Sequence, residues 1–477
     1  MTDKKETPAQ KFSEEEFISQ EKQINFRSQV LRYQVTSGRI PLKNKEQEIE
    51  AQIFFTYYQK TPSNKKRPVT FAFNGGPGSP SIWLHLGALG PKRVKMTDEG
   101  FFPELPFELI DNDFTWLDET DLVFVDPVGC GYSQAKDSKT EEKFFNVAGD
   151  IESMGEFIRL FLIRFQRWGS PLFLAGESYG AFRVSGLAGD LFQKGITFNG
   201  VILISGALNF YTLHIGLGYR LHDLPYILIL PSYTASAWHH RKLDESLLQR
   251  DLPDLLDEVE QWAKIEYAAA LMEGSNLSED KYNKIVDKLC LYTGLKSDVV
   301  RNVDLRILLQ DFCYNLMKPE DKIVGRLDTR FVGLNAYENI AGTLTGDPSL
   351  ASIIPPFSTC FYQYVAEELG YKSDLVYQNL TGVSSWKWET GHDDSSQALQ
   401  KAMSLNPYMK LYLGVGYYDL ATPYFAMDYT VSHMRLDKTR QQNITYHRYE
   451  AGHMYYINKK SLSDFYNHIV EFIQQAM

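Results

Sequence analysis

Five short runs of the chain are apolar on both faces. They are Val69-Thr70-Phe71-Ala72-Phe73, Leu122-Val123-Phe124-Val125, Leu172-Phe173-Leu174-Ala175, Val201-Ile202-Leu203-Ile204 and Leu411-Tyr412-Leu413-Gly414-Val415. Strands of this kind belong in the middle of a parallel sheet, where helices cover both sides. Two earlier stretches, Phe26 to Val35 and Ile49 to Tyr58, mix alternation with β-branched and aromatic residues and predict an antiparallel opening. Between the runs, Phe144, Val147, Ile151, Met154, Ile158, Phe161 and Phe165 recur at intervals of 3 and 4, the apolar stripe of one helix. A second helix is predicted from near Ala181 toward Phe192. Strand alternating with helix predicts an α/β class fold with a mostly parallel, doubly wound sheet.

The pattern divides the chain. Residues 1–22 are polar and read as an N-terminal arm. Residues 23–211 carry the first part of the α/β core. From 212 to 346 the chain is helix-rich and lacks glycine-bounded apolar runs, so it reads as a helical cap insertion. Residues 347–477 return to the core pattern.

Composition narrows the function classes. At 44% hydrophobic and 23% charged residues the 477-residue chain is globular. Its net charge of −11 argues against nucleic acid or an anionic membrane as the main partner. The most apolar window, Tyr226 to Leu230, is closed by Pro231 and is too short to span a bilayer, so no membrane insertion is expected. The N-terminus has no apolar signal segment. Cys130, Cys290, Cys313 and Cys360 stand far apart without metal-type spacing and read as buried thiols, with a Cys290–Cys313 bridge left open. These signs predict a cytoplasmic protein, or a periplasmic or secreted one should the native start lie upstream. No metal, nucleotide or flavin motif stands out, so no cofactor is expected.

The strongest local signal is Gly176-Glu177-Ser178-Tyr179-Gly180. The five-residue pattern alone is common, but here it follows a strand and precedes a helix, the setting of a nucleophile elbow. A serine needs a histidine to take its proton and a carboxylate to orient that histidine. On such a fold the acid follows a late strand, which selects Asp419 after Leu411 to Gly416. The histidine follows the last strand, which selects His453 after Ile444 to Tyr449. Asp428 and Asp437 are rival acids, further from a strand end and read as solvated; His239, His240 and His447 read as surface or packing residues. The oxyanion formed in acyl transfer needs backbone donors. One is the N–H of Tyr179, and another should come from the loop Asn74-Gly75-Gly76-Pro77-Gly78.

Taken together, Phe73-Asn74-Gly75-Gly76-Pro77-Gly78, Asp126-Pro127-Val128-Gly129-Cys130-Gly131-Tyr132-Ser133, Gly176-Glu177-Ser178-Tyr179-Gly180, Tyr417-Tyr418-Asp419 and Ala451-Gly452-His453 resemble the serine carboxypeptidase family of α/β-hydrolases, in particular its bacterial branch. The resemblance implies an α/β-hydrolase fold, with Ser178 as nucleophile, His453 as base and Asp419 as its orienter. It implies an oxyanion hole from the N–H groups of Gly76 and Tyr179, and a substrate-carboxylate site from Asn74, Gly75 and Glu177. It also implies a peptide substrate and a homodimer. The family's second glutamate, fourteen positions after Asn74, falls on Ala88; Ser79-Pro80 replaces the usual Cys-Ser; and the disulfides of secreted relatives have no counterpart. The expected activity is serine exopeptidase action at peptide C-termini. An esterase or acyltransferase on the same residues is the alternative, and a catalytically idle binding protein the third reading.

Overall fold

The five apolar runs fold as strands of one sheet. The computed structural model describes residues 16–213, 222–334, 346–380, 386–388 and 394–477. In chain order the strands are β1 (Glu16–Phe26), β2 (Gln29–Lys43), β3 (Ile49–Lys60), β4 (Val69–Phe73), β5 (Lys92–Val94), β6 (Leu109–Asp111), β7 (Asp121–Val125), β8 (Gln134–Ala135), β9 (Leu172–Glu177), β10 (Gly200–Ile204), β11 (Lys322–Val324), β12 (Val332–Leu334), β13 (Lys410–Gly416) and β14 (Ile444–Tyr449). The main sheet runs β1-β2-β3-β7-β4-β9-β10-β13-β14, with β8 beside β3. Pairing is parallel from β7 to β14 and antiparallel from β1 to β7. The expected antiparallel opening and parallel centre are both present.

Side chains alternate across this sheet, as the pleat requires. Val69, Phe71, Phe73, Val123, Leu172 and Leu174 face one layer, where Phe157 and Phe161 of the helix Val147–Arg164 and Val184 and Leu187 of the helix Tyr179–Gln193 cover them. Ala72, Leu122, Phe124, Phe173 and Ala175 face the other, against Phe357 of the helix Pro348–Gln363 and Phe465 and Ile469 of the helix Lys459–Ala476. Each large apolar side chain taken out of water this way contributes about 1.5–3 kcal/mol. Chain direction across the sheet reverses at β4: β7 lies on one side of it and β9 on the other. The crevice outside the carboxyl ends at such a reversal is where open α/β sheets bind ligands.

Between β10 and β13 the helices Leu224–His239, Leu252–Trp262 and Glu279–Thr293 surround a core of their own, which includes Tyr233, Leu255, Val259, Leu289 and Phe312. A short hairpin, β11 with β12, follows these three helices, where no strand was expected. Three-residue strands leave no readable alternation.

The polar arm expected over residues 1–22 is corrected in part: from Glu16 onward the chain is β1, paired along β2. Its outer face, with Ser19, Glu21, Gln23 and Asn25, is solvated, and the half-buried Gln20 and Lys22 share the inner face with Ile24 and Phe26, so polar residues at both parities mask the alternation. Residues 1–15 lie outside the described residues. The stretch Phe26 to Val35 is not one strand but crosses the turn between β1 and β2, where Arg27 and Ser28 have φ of 45° and 67°. None of the four cysteines is in a disulfide; Cys130 and Cys360 are buried, whereas Cys290 and Cys313 are only partly so. Among the described residues no helix is long and apolar enough to cross a membrane.

Candidate active site

The turn after β9 sets the geometry of the site. Ser178 has φ 60° and ψ −125°, a strained conformation for a residue with a side chain. Neighbouring backbone holds it there. Ser178 N–H donates to the Ile204 carbonyl at 3.0 Å, and its own carbonyl accepts from Ala181 N–H at 3.0 Å and Ala207 N–H at 3.1 Å. The flanking glycines have no alternative. A Cβ on Gly176 would stand 2.2 Å from the Gly180 carbonyl oxygen, and one on Gly180 would stand 2.4 Å from that of Phe73. Tyr179 is the first residue of the helix, so its N–H has no partner within that helix. The loop after β4 lies directly against the turn: a Cβ on Gly75 would stand 2.5 Å from Tyr179 N. Among the described residues, neither Gly76 N–H nor Tyr179 N–H donates to a protein acceptor.

Asp419 and His453 meet at the ends of β13 and β14. His453 Nδ1 lies 2.6 Å from Asp419 Oδ2. Both are buried. Asp419 Oδ1 accepts from Ala421 N–H at 2.7 Å and Thr422 N–H at 3.1 Å. Thr422 Oγ1 lies 2.7 Å from Asp419 Oδ2 and 2.9 Å from the Ser205 carbonyl oxygen, so its single proton serves one of them at a time. The loop carrying the imidazole is itself pinned. His453 N–H donates to the Leu327 carbonyl at 2.6 Å, Ser205 Oγ donates to the His453 carbonyl at 2.6 Å, and Gly452 N–H donates to Asp328 Oδ2 at 3.0 Å. Burial opposes a charge on His453, but the charge and hydrogen bond of Asp419, helped by Glu177, outweigh it and raise its pKa above the ordinary histidine range.

Glu177 is buried beside the serine. One carboxyl oxygen, Oε2, accepts from the Asn74 amide and from Tyr456 Oη at 2.8 Å. Burial raises its pKa to about 7, against the opposing effect of His453 and of these two donors. Asn74 is held in turn: its side-chain oxygen accepts from Leu84 N–H at 3.0 Å and its carbonyl from Arg183 Nη1 at 2.7 Å. Arg183 is fully buried and paired with Asp150 at 2.8 Å. Replacing Arg183 by methionine should cost about 3–5 kcal/mol of stability, because Asp150 would remain in the core without its cation. Denaturant unfolding measures this, and a loss under about 1 kcal/mol would contradict it. Ala88 is buried in the core and does not line the site, and its carbonyl accepts from the Asn112 amide at 2.7 Å.

Asn74, Gly75, Gly76, Glu177, Ser178, Tyr179 and His453 all line one cavity of about 140 Å³, with Asp419 behind the imidazole. A cavity of about this size takes one benzene-sized group. Leu350, Ile353 and Met454 form part of its apolar wall. Among the described residues Ser178 and His453 face the same space without a direct hydrogen bond; such contacts often tighten only when substrate arrives. A hydroxyl, an imidazole–carboxylate pair and two unpartnered backbone N–H groups around one space can carry out acyl transfer.

The rival groups sit elsewhere. Asp428 is not fully solvated as expected but half-buried, with Arg448 Nη2 2.5 Å away. Asp437 caps the short helix Lys438–Gln441. His447 stacks on His468 at 3.6 Å, and His240 Nε2 lies 2.6 Å from the Thr329 carbonyl oxygen. The sequence reading missed Tyr456, Thr422, Arg183 and the Leu327-Asp328 segment. Thr422 carried one usable signal, its place three residues after the acid. The others act through contacts that no spacing encodes.

A family model described as serine carboxypeptidase matches residues 27–316, more than half of the chain. "Serine carboxypeptidase-like 33" of Arabidopsis thaliana is 33% identical over 140 residues, covering 28% of this chain and 27% of that protein. "Carboxypeptidase Y homolog A" of Talaromyces stipitatus is 25% identical over 166 residues, covering 34% and 28%. The matched segments thus span about a quarter of those relatives' own length. A solved structure of a prohormone-processing carboxypeptidase from Saccharomyces cerevisiae superposes with a TM-score of 0.57 at 18% identity, covering 93% of this chain and 91% of that one. That likeness shows the α/β-hydrolase fold.

Proposed function

Because the chain belongs to the serine carboxypeptidase family, we propose that it is a serine-type exopeptidase that hydrolyses the last peptide bond of a polypeptide. In this reading Ser178 Oγ attacks the terminal peptide carbonyl while His453 Nε2 accepts its proton. Gly76 and Tyr179 N–H groups hold the oxyanion. The tetrahedral intermediate collapses to an ester on Ser178, and the imidazolium protonates the departing amine, releasing one amino acid. Water, deprotonated by the same imidazole, then attacks the ester and frees the shortened peptide. Asp419 keeps the proton of His453 on Nδ1, so that Nε2 is the acceptor.

The observation that carries the exopeptidase reading is the buried Glu177 in the same cavity as the serine. With a pKa near 7, it can keep a proton at neutral pH and donate it to the substrate's terminal carboxylate. Asn74 and Gly75 complete that site in this proposal. The test compares an N-blocked dipeptide ending in a free carboxylate with its amide and its ester. The free acid should exceed the amide in kcat/KM by on the order of 100-fold, because the amide leaves buried polar groups unpaired. Equal turnover of acid and amide, or a strong preference for the ester, would point to the esterase or acyltransferase instead.

The pH profile is a further prediction. His453 must be neutral to accept a proton, so activity should fall on the acid side of its raised pKa. Glu177 must be protonated to meet a carboxylate, so KM should rise above about pH 7. Each of the two groups favours the charged form of the other, so they titrate as a pair. Glu177→Gln should flatten the alkaline rise in KM. It should also shift the acid limb to lower pH, because the anion that supports the imidazolium is gone. A profile with both limbs unchanged would remove Glu177 from this role.

A further inference from the structure

Arg326 lines the cavity that holds Ser178 and His453 and is the one lysine or arginine among its described lining residues. It follows β11, in the segment between β10 and β13. Its backbone is tied on both sides: Arg326 N–H donates to Asp347 Oδ2 at 3.0 Å, and its carbonyl accepts from Leu420 N–H at 3.1 Å. Among the described residues the two fully buried arginines have a carboxylate partner, Arg167 with Asp121 and Arg183 with Asp150, and so does the largely buried Arg330 with Asp328. The half-buried Arg326 side chain makes no ion pair or hydrogen bond among the described residues.

The nearby carboxylates are already committed. Asp419 is held by Ala421, Thr422 and His453. Asp347 accepts from Arg326 N–H and Ser349 N–H. Glu177 is held by Asn74 and Tyr456. A guanidinium with no carboxylate partner, in a residue that lines a small, largely apolar space, calls for an anion from outside.

Its place identifies which half of the substrate would bring that anion. The next residue, Leu327, accepts the His453 N–H at 2.6 Å, so Arg326 stands on the imidazole side of the cavity, with Met454. The imidazole hands its proton to the leaving amine, so this side belongs to the departing residue. Tyr179 and Phe210 belong to the opposite, elbow side.

We propose that Arg326 is a specificity-determining residue that binds the side-chain carboxylate of an acidic C-terminal residue, aspartate or glutamate. This rests on the exopeptidase reading, with Asn74, Gly75 and Glu177 taking the α-carboxylate.

The experiment uses three N-blocked dipeptides that differ only in ending with Glu, Gln or Lys. The wild-type enzyme should favour Glu over Gln by about tenfold in kcat/KM, mostly through KM, since one charged hydrogen bond is worth roughly that factor. Arg326→Gln should bring the ratio to within about twofold of unity. Arg326→Lys should retain an intermediate preference, and Arg326→Glu should favour Lys over Glu. Circular dichroism confirms that each variant is folded. Equilibrium binding of the Glu and Gln peptides to Ser178→Ala protein reads the same preference without turnover, so a failure of the hydrolase reading leaves this proposal testable. No preference for Glu in wild-type binding or turnover would overturn it. So would a ratio unchanged in Arg326→Gln, or a uniform loss for all three peptides, which would assign Arg326 to the α-carboxylate.

Discussion

Alanine at position 178 is expected to lower kcat for a peptide substrate by about 10⁶-fold, the scale seen when a serine nucleophile is removed from a working triad. The reason lies in what remains. The Gly76 and Tyr179 N–H groups, Glu177 and Asn74 still surround the cavity, so substrate should bind with nearly unchanged affinity. Without the hydroxyl no ester can form, and only the slow direct attack of water is left. Stability should be little altered, since alanine meets the same backbone strain at φ 60° as serine does. Three measurements check this together: turnover, peptide binding and covalent labelling by a fluorophosphonate. Turnover retained near the wild-type level would refute the acyl-enzyme mechanism. Absence of labelling in the folded wild-type protein would favour the idle binding protein.

The second large effect is expected from Asp419→Asn, about 10⁴-fold in kcat. The surroundings of this side chain dictate how the amide would sit. Oδ1 accepts two backbone N–H groups, from Ala421 and Thr422. In the variant those donors demand the amide oxygen, which turns the NH₂ group toward His453 Nδ1. Nδ1 must then accept, the ring proton moves to Nε2, and the imidazole can no longer take a proton from Ser178. KM should change little. NMR of the ring nitrogens would show the exchanged tautomer. A loss below about tenfold, with the tautomer unchanged, would mean that Asp419 does not orient the base.

Much of this site was legible because its parts lie at the ends of strands that are readable themselves. The apolar runs of β4, β9, β13 and their neighbours announce a buried parallel sheet. Ser178, Asp419 and His453 each follow such a strand or the edge strand β14, so topology alone brings them to one edge. The groups that complete the site follow a different logic. Tyr456 reaches Glu177 from a segment 279 positions away, and Arg183 reaches the Asn74 carbonyl across 109. Such contacts arise only after the layers pack. Edge position obscured β1, because a strand with one solvated face reads as a polar arm when its charges are counted. Arg326 carried no signal at all, since an arginine in a helix-rich stretch is ordinarily a surface residue.

The segment Arg326-Leu327-Asp328 serves two masters. Its first residue faces the ligand space, its second receives the His453 N–H, and its third receives that of Gly452. With the proposed roles of Arg326 and His453, substrate preference and chemical rate would not be separable modules. An engineer who transplants the walls from a homologue would detune the proton shuttle in the same stroke. A lineage drifting toward new diets would have to change both ends of these contacts in concert.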